Sequence, residues 1–239
     1  MNNMNSDIRV MTSGAFTAAY LDLVPELEVL TGKNFVTLTT SIGTGAGSIP
    51  NRLKRGETAD VIIVADSVLS DFIQEGLVLA ETHTPLVRSV IGMAVRAGAP
   101  APDISTAEAL KETLLKAESI AYSASVSGRY LTTELYQRLG IGDRVSDKSR
   151  LIGKGERVGA VIARGEAEIG FQQISELLPV AGIAHITALP PEVQKVSVFS
   201  AGVAASTTDY EGAHSVIKFL ASPEAAGAIR KSGLEPFTP

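Results

Sequence analysis

Apolar residues fall into short unbroken runs that alternate with longer stretches in which they recur every three or four positions. Short runs suit buried strands and the wider spacing suits amphipathic helices, so the alternation predicts βαβ units and a mostly parallel sheet. Ile8-Arg9-Val10-Met11 reads as a first strand and runs directly into Thr12-Ser13-Gly14. Over residues 15–30, Phe16, Ala19, Tyr20, Leu23, Leu27 and Leu30 keep a helical spacing. Residues 35–40 are β-branched and predict the second strand, residues 48–55 a short helix, residues 59–64 a buried third strand, and residues 70–75 a further helix.

The character changes near Pro85. Residues 89–95 predict a strand, the proline-rich residues 97–103 a loop, and residues 105–116 a helix with Ser105 or Thr106 as its N-cap. A strand over 119–122 enters the small-residue turn Ser123-Ala124-Ser125-Val126-Ser127-Gly128, and a helix is expected from about 129 to 139. Residues 156–164 predict a helix, 168–171 a strand, 195–204 a long β-rich stretch, and 210–220 and 224–232 the closing helices. Two organisations fit this pattern equally. In one, residues 87–198 are an α/β unit inserted between residues 1–86 and 199–239, with the ligand cleft at the junction. In the other, the chain is one continuous doubly wound domain.

Composition narrows the function classes. The chain has 239 residues, 45% hydrophobic and 20% charged, an ordinary globular balance. A net charge of −5 offers no basic excess to neutralise phosphates, so nucleic acid is not an expected partner. With no cysteine, a thiol nucleophile, a disulfide framework and a cysteine zinc site are excluded. His83, His185 and His214 are scattered, and neither a metal nor another cofactor is expected. Residues 1–10 contain no apolar core of a secretory leader, and no apolar run approaches the length of a bilayer span. The expected location is therefore cytoplasmic if the chain is complete as given, and periplasmic if a leader has been removed.

Three strand ends open into turns rich in small hydroxyl residues: Thr12-Ser13-Gly14, residues 41–48 with Thr44 and Gly45, and residues 123–129 with Ser125 and Ser127. In an open α/β sheet, ligands bind outside the carboxyl ends of the strands, where helix N-termini present free N–H groups. Hydroxyls and backbone N–H groups hold a desolvated anion, and glycine lets the backbone approach it. Each turn taken alone is equally a helix cap. Residues 43–47 carry glycine at alternate positions, but no Lys-Ser/Thr follows, so this is not a P-loop. Arg129 is a candidate bidentate clamp for a carboxylate or a solvated surface arginine. Gln172 and Gln173 follow a buried strand and are candidates to orient the ligand. Asp60 and Asp66 bracket an apolar strand and read as structural caps, and residues 154–157 as a loop entering a helix. No Gly-x-Ser-x-Gly elbow occurs, which argues against serine hydrolysis.

Taken in order, these pieces resemble the molybdate-binding type of periplasmic solute receptor. The resemblance rests on Thr12-Ser13, on residues 51–66 with Gly56-Glu57-Thr58-Ala59-Asp60-Val61, on the serine turn through Tyr130, and on Ser222-Pro223-Glu224-Ala225-Ala226. It implies a two-lobed type II periplasmic-binding-protein-like α/β fold with a ligand cleft between the lobes. The chain departs from that pattern at Gly45-Ala46-Gly47, where such receptors carry serines, with Thr44 and Ser48 at the margins. It departs again at Gln172-Gln173, where they carry a tyrosine, and at Arg129. These departures favour a carboxylate over molybdate. Residues 13–20, 49–53 and 170–179 are similar to the aconitate isomerase branch of the same superfamily.

Two functions follow. As a binding module, the chain holds an oxyanion or small carboxylate as the solute-binding component of an ABC-type uptake system, as a monomer that hands its ligand to a membrane transporter. As an isomerase, it moves a proton along an unsaturated tricarboxylate in the same cleft. The isomerase needs a base, and Tyr122, Tyr130 or a serine serves only with a strongly perturbed pKa. The expected ligand shell in either case is Thr12, Ser13, Gly14, Thr44, Gly45, Ser125, Ser127, Arg129, Gln172 and Gln173.

Overall fold

The computed structural model describes residues 7–39, 46–153 and 156–237. The chain divides into two compact units, one containing the residues up to Arg88 and those from Ser197 onward, the other Ser89–Val196.

In the first unit, β1 (Ile8–Thr12), α1 (Gly14–Thr31), β2 (Phe35–Thr39), α2 (Ile49–Lys54), β3 (Val61–Ala65) and α3 (Asp66–Gln74) lead into β4 (Thr84–Arg96). β1 is flanked by β2 and β3, both parallel to it, with Thr12 opposite Thr39 on one side and Ile63 on the other. All five residues of β3 are buried, as expected of a parallel strand covered on both faces. α1 turns Phe16, Ala19, Tyr20, Leu23 and Leu27 into the core and ends at Gly32, whose φ of 65° lets its N–H reach back to the Glu28 carbonyl. Met11, Ile62, Val64, Leu69 and Phe72 join Ile49 and Leu53 in one apolar cluster.

The second unit begins inside β4. It continues through α4 (Ala107–Lys116), β5 (Ile120–Ser123), α5 (Val126–Tyr130), a π-helical segment Leu131–Leu135, α6 (Tyr136–Arg138), α7 (Gly142–Val145), β6 (Ser149–Ile152), α8 (Val158–Ala163), β7 (Ile169–Gln173), α9 (Ile174–Leu177) and β8 (Ile183–Ala188). β7 pairs parallel with β5 and antiparallel with β4, β5 pairs parallel with β6, and β8 pairs antiparallel with β4. Side chains alternate across this sheet. Ile91, Met93, Val95, Ile120, Ile169 and Phe171 meet the helices on one face, while Ala94, Ala121 and Ile152 meet Val158, Val161, Ile162 and Leu177 on the other. Gly170 belongs to the second face. A Cβ there would lie 2.5 Å from Ile162 Cδ1, so the missing side chain lets α8 seat on the strand.

The chain returns to the first unit within β9 (Val196–Val203), which pairs antiparallel with β3, and closes with α10 (Tyr210–Leu220), α11 (Ala226–Lys231) and β10 (Glu235–Pro236). β10 pairs with the first-unit part of β4, Glu235 opposite Arg88. Three differences from the sequence reading affect the site. The helix expected from about 129 starts at Val126, β7 runs through Gln173 instead of ending at 171, and the four-residue α9 was not anticipated.

Candidate functional site

In the first unit, β1 delivers Thr12, Ser13 and Gly14 to the N-terminus of α1, an 18-residue helix with no acidic residue in its first turn. The backbone of Ser13 is fully used: its N–H donates to the Ile63 carbonyl (2.8 Å), and its own carbonyl accepts from Thr17 Oγ1 (2.9 Å). Its hydroxyl is buried and has no partner. Ser48, ahead of α2, is likewise buried with an unpartnered hydroxyl. Buried polar atoms are nearly always paired, so the orphaned hydroxyls of Ser13 and Ser48, one ahead of each of α1 and α2, are notable. Thr44 and Gly45 lie outside the described residues.

The two aspartates beside β3 act within the fold. Asp60 Oδ2 accepts from the Arg9 N–H (2.8 Å) and Oδ1 from Thr207 Oγ1 (2.6 Å), tying β1 to the chain beyond β9. Asp66 Oδ1 meets Ser200 Oγ at 2.6 Å and His83 Nε2 at 2.7 Å. Burial alone would push the Asp66 carboxyl up, but the hydrogen bonds from Ser200 and His83, with the His83 charge, outweigh it and hold the carboxyl below its ordinary value.

In the second unit, the carboxyl ends of β7, β5 and β6 lie side by side, with Tyr122 opposite Phe171 and Ser123 opposite Ile152. From β5, the hydroxyls of Ser123, Ser125 and Ser127 form a chain at 2.7 and 3.0 Å. Ser125 is the N-cap of α5. Gly128 lets this helix lie on the strand end, because a Cβ there would fall 1.7 Å from the Ser123 carbonyl oxygen. Arg129 is exposed and is the fourth residue of α5 rather than its first.

β7 contributes both glutamines, each almost fully buried. Gln172 Nε2 donates to Glu176 Oε1 (2.8 Å), and Gln173 Oε1 accepts from Ser89 Oγ (2.7 Å). Gln172 Oε1, Gln173 Nε2 and the Ser175 hydroxyl are buried without partners. Glu176, three residues into α9, also accepts from the Gln173 backbone N–H. Desolvation pushes its carboxyl up to about 7, against the opposing effects of Gln172, the Arg157 charge and that N–H.

Of the residues expected to hold the ligand, Ser13, Gln172 and Gln173 carry unpartnered buried atoms; Ser175 does too and was not singled out in the sequence, nor was Glu176. The available signal was a glutamate three residues past a strand-ending Gln173, the spacing of a capping box. Tyr130, named as a possible base, donates its hydroxyl to the Val193 carbonyl (2.6 Å) and accepts from Arg138, so it is occupied inside the unit. Among the described residues, no three side chains of the metal-ligating types come together, and no helix is long and apolar enough to cross a membrane.

The sequence profile described as bacterial extracellular solute-binding protein matches residues 8–235. An aconitate isomerase from Pseudomonas sp. is 41% identical over 230 residues, covering 96% of this chain and 87% of that protein. Among solved structures, the periplasmic molybdate-binding protein of Azotobacter vinelandii superposes with a TM-score of 0.75 at 16% identity, over 97% of this chain and 99% of that one. The sulfate-binding protein of Mycobacterium tuberculosis gives 0.74 at 14% identity, over 98% and 88%. At such identities these two structures establish the fold alone, the mixed α/β fold of two-lobed periplasmic binding proteins.

Proposed function

The chain belongs to the bacterial extracellular solute-binding protein family, whose members bind small ligands and deliver them to membrane transporters, and from that premise we propose that it binds an unsaturated tricarboxylate and interconverts cis- and trans-aconitate. The observation that carries this reading is the 41% identity to an aconitate isomerase across nearly the whole chain. The unpartnered Ser13 hydroxyl in the first unit, and Gln173 Nε2 and the Ser175 hydroxyl in the second, are neutral donors of the kind a carboxylate accepts from, and Arg129, exposed on α5, is a candidate counter-charge. The reaction is an allylic shift. A proton leaves the methylene carbon, the double bond moves over, and a proton arrives on the former vinyl carbon. No oxidant or electron carrier is needed.

A second reading follows from the family and from the molybdate- and sulfate-binding neighbours. Here the chain is a periplasmic, monomeric receptor for a small oxyanion or carboxylate that serves an ABC-type transporter. Proton NMR of the full chain with cis-aconitate in deuterated buffer separates the two. Conversion to the trans isomer is expected. No conversion, together with a rise in melting temperature from molybdate, sulfate or citrate, would establish the receptor instead, because a ligand that binds only the native state stabilises it by mass action.

A further inference from the structure

The helix that starts at the serine turn is not regular. Between α5 and α6 its ladder widens, and the Tyr136 N–H reaches back five residues to the Leu131 carbonyl. Two neighbouring threonines favour this. Thr132 Oγ1 donates to the Gly128 carbonyl (3.1 Å) and Thr133 Oγ1 to the Arg129 carbonyl (2.9 Å). Hydroxyls that turn back on the preceding carbonyls weaken a regular α-helix and bend it. One-turn π expansions are rare and occur frequently at functional sites.

The extra residue of the π turn sets a side-chain alignment. Tyr130 and Arg138 stand on either side of it, eight positions apart. In an uninterrupted α-helix, at about 100° per residue, that spacing leaves two side chains roughly 80° out of line. One inserted residue removes most of the offset, and Arg138 Nη1 donates to the Tyr130 hydroxyl at 3.1 Å. Both side chains then hold one stretch of chain. The Tyr130 hydroxyl donates to the Val193 carbonyl (2.6 Å), and Arg138 Nη2 to the Glu192 carbonyl (2.7 Å). Lys195 Nζ lies 5.3 Å from the Tyr130 ring centroid and pairs with Glu134 at 3.0 Å. Gln194 is bonded to both the N–H and the carbonyl of Ile91 in β4. Residues 192–195 are thus gripped by the helix and by β4, just before the chain leaves the second unit after Val196. The other end of the helix is joined to the serine turn: the Arg129 N–H donates to the Ser125 carbonyl (3.0 Å), and Ser127 and Tyr130 are both buried. A shift of the serine hydroxyls reaches Tyr130 within about one and a half turns of helix.

Both functions considered above expect the ligand at this serine turn. Resting on that expectation, we propose that the π segment is a coupling device, through which a ligand held by Ser125 and Ser127 tightens the grip of Tyr130 and Arg138 on residues 192–195. The segment has two discrete arrangements, as such coupling requires. In one, the extra residue is kept and the two side chains align. In the other, the ladder closes to a regular α-helix and turns Arg138 away from Tyr130. Ligand binding biases the first. Tyr130 and Arg138 are positioning residues, acting through the segment they hold.

Hydrogen exchange read by mass spectrometry on the full-length protein tests this, with and without trans-aconitate, while calorimetry follows binding. In the wild type, the ligand is expected to slow exchange in the peptide spanning residues 189–196 by about fivefold or more. Tyr130→Phe removes the hydroxyl that joins Arg138 to Val193 and keeps the ring in the core. In Y130F the ligand-dependent slowing is expected to vanish and Kd to rise by up to about the same factor, because coupling is reciprocal. A tyrosine that served stability alone would speed exchange equally with and without ligand. Y130F that keeps the full ligand-dependent slowing therefore overturns the proposal. So does a wild type that binds trans-aconitate with no change in exchange at 189–196. Should Y130F fail to fold, Arg138→Gln, at an exposed position, carries the same comparison with the same deciding outcomes. Trans-aconitate that does not bind counts against the tricarboxylate reading alone, and the comparison is then decided with citrate, molybdate or sulfate. If none of these binds, the proposal falls with both readings.

Discussion

Single residues separate a ligand contact from a structural one through the sign of their effect on stability. The Ser13 hydroxyl is buried and unpartnered, so it costs the empty protein free energy. Ser13→Ala is expected to leave the melting temperature unchanged or raise it, by an amount equivalent to about 1 kcal/mol, while weakening tricarboxylate binding about tenfold. Thermal unfolding and calorimetry on the same sample check both, and a lowered melting temperature would make Ser13 structural. Glu176 gives the opposite signature with pH. Its carboxyl is raised to about 7 from an ordinary 4.5, so the native state holds the proton more tightly than the unfolded one. Stability from this group is fully present below about pH 4.5 and is lost as pH rises through about 7. The melting temperature of E176Q should therefore decline less than that of the wild type between pH 5 and 8, roughly the window these two values bracket. Ser13, Gln172 and Gln173, with their unpartnered buried atoms, drew notice because a polar residue ending an apolar run stands out in a sequence. Glu176 did not, because the burial that raises its carboxyl belongs to the folded chain and leaves no mark in the sequence.

At the scale of elements, the long buried strands and the amphipathic helices were legible, and the short elements were not. β3 and α10 lie where periodicity puts them, since each buries a continuous run or a full helical face. β6 has a single fully buried residue, Ile152, and β8 none, so neither leaves a pattern in the sequence. The start of α5 was misplaced by three residues for a related reason. What permits the helix at Val126 is the approach of Gly128 to the Ser123 carbonyl, a contact with a preceding strand and not a local propensity. The serine chain 123–125–127 depends on that approach. Gly128→Ala must push helix and strand apart, with an expected loss of ~3 kcal/mol or more and a matching loss of ligand binding. Chemical denaturation and calorimetry measure the two. Gly128→Ser should be no better tolerated, because it adds the same Cβ.

On the scale of the whole molecule, the alternation of strands and helices announced an α/β protein. What it left open, one domain or two, turns on where a strand finds its neighbour, and periodicity does not encode that. The two units differ in how they are written along the chain. The second is one uninterrupted segment whose ends are clasped locally: the Gln194 side chain accepts from the Ile91 N–H (3.0 Å) and donates to the Ile91 carbonyl (2.9 Å). A fragment of residues 89–196 is expected to give a cooperative unfolding transition by circular dichroism, and residues 1–88 alone are not.

That asymmetry sets an order of events during synthesis. β3, apolar along its whole length, waits for β9 to cover its edge, and α1 waits for α10 and α11 to pack on it. β9 begins about 130 residues after β3, and α10 and α11 begin about 180 and 195 residues after α1, which at ribosomal speed is a delay of roughly 6–40 seconds. The middle of the polypeptide can therefore mature before its beginning. Over that interval the nascent chain carries an uncovered hydrophobic strand edge of the kind that invites aggregation or chaperone capture.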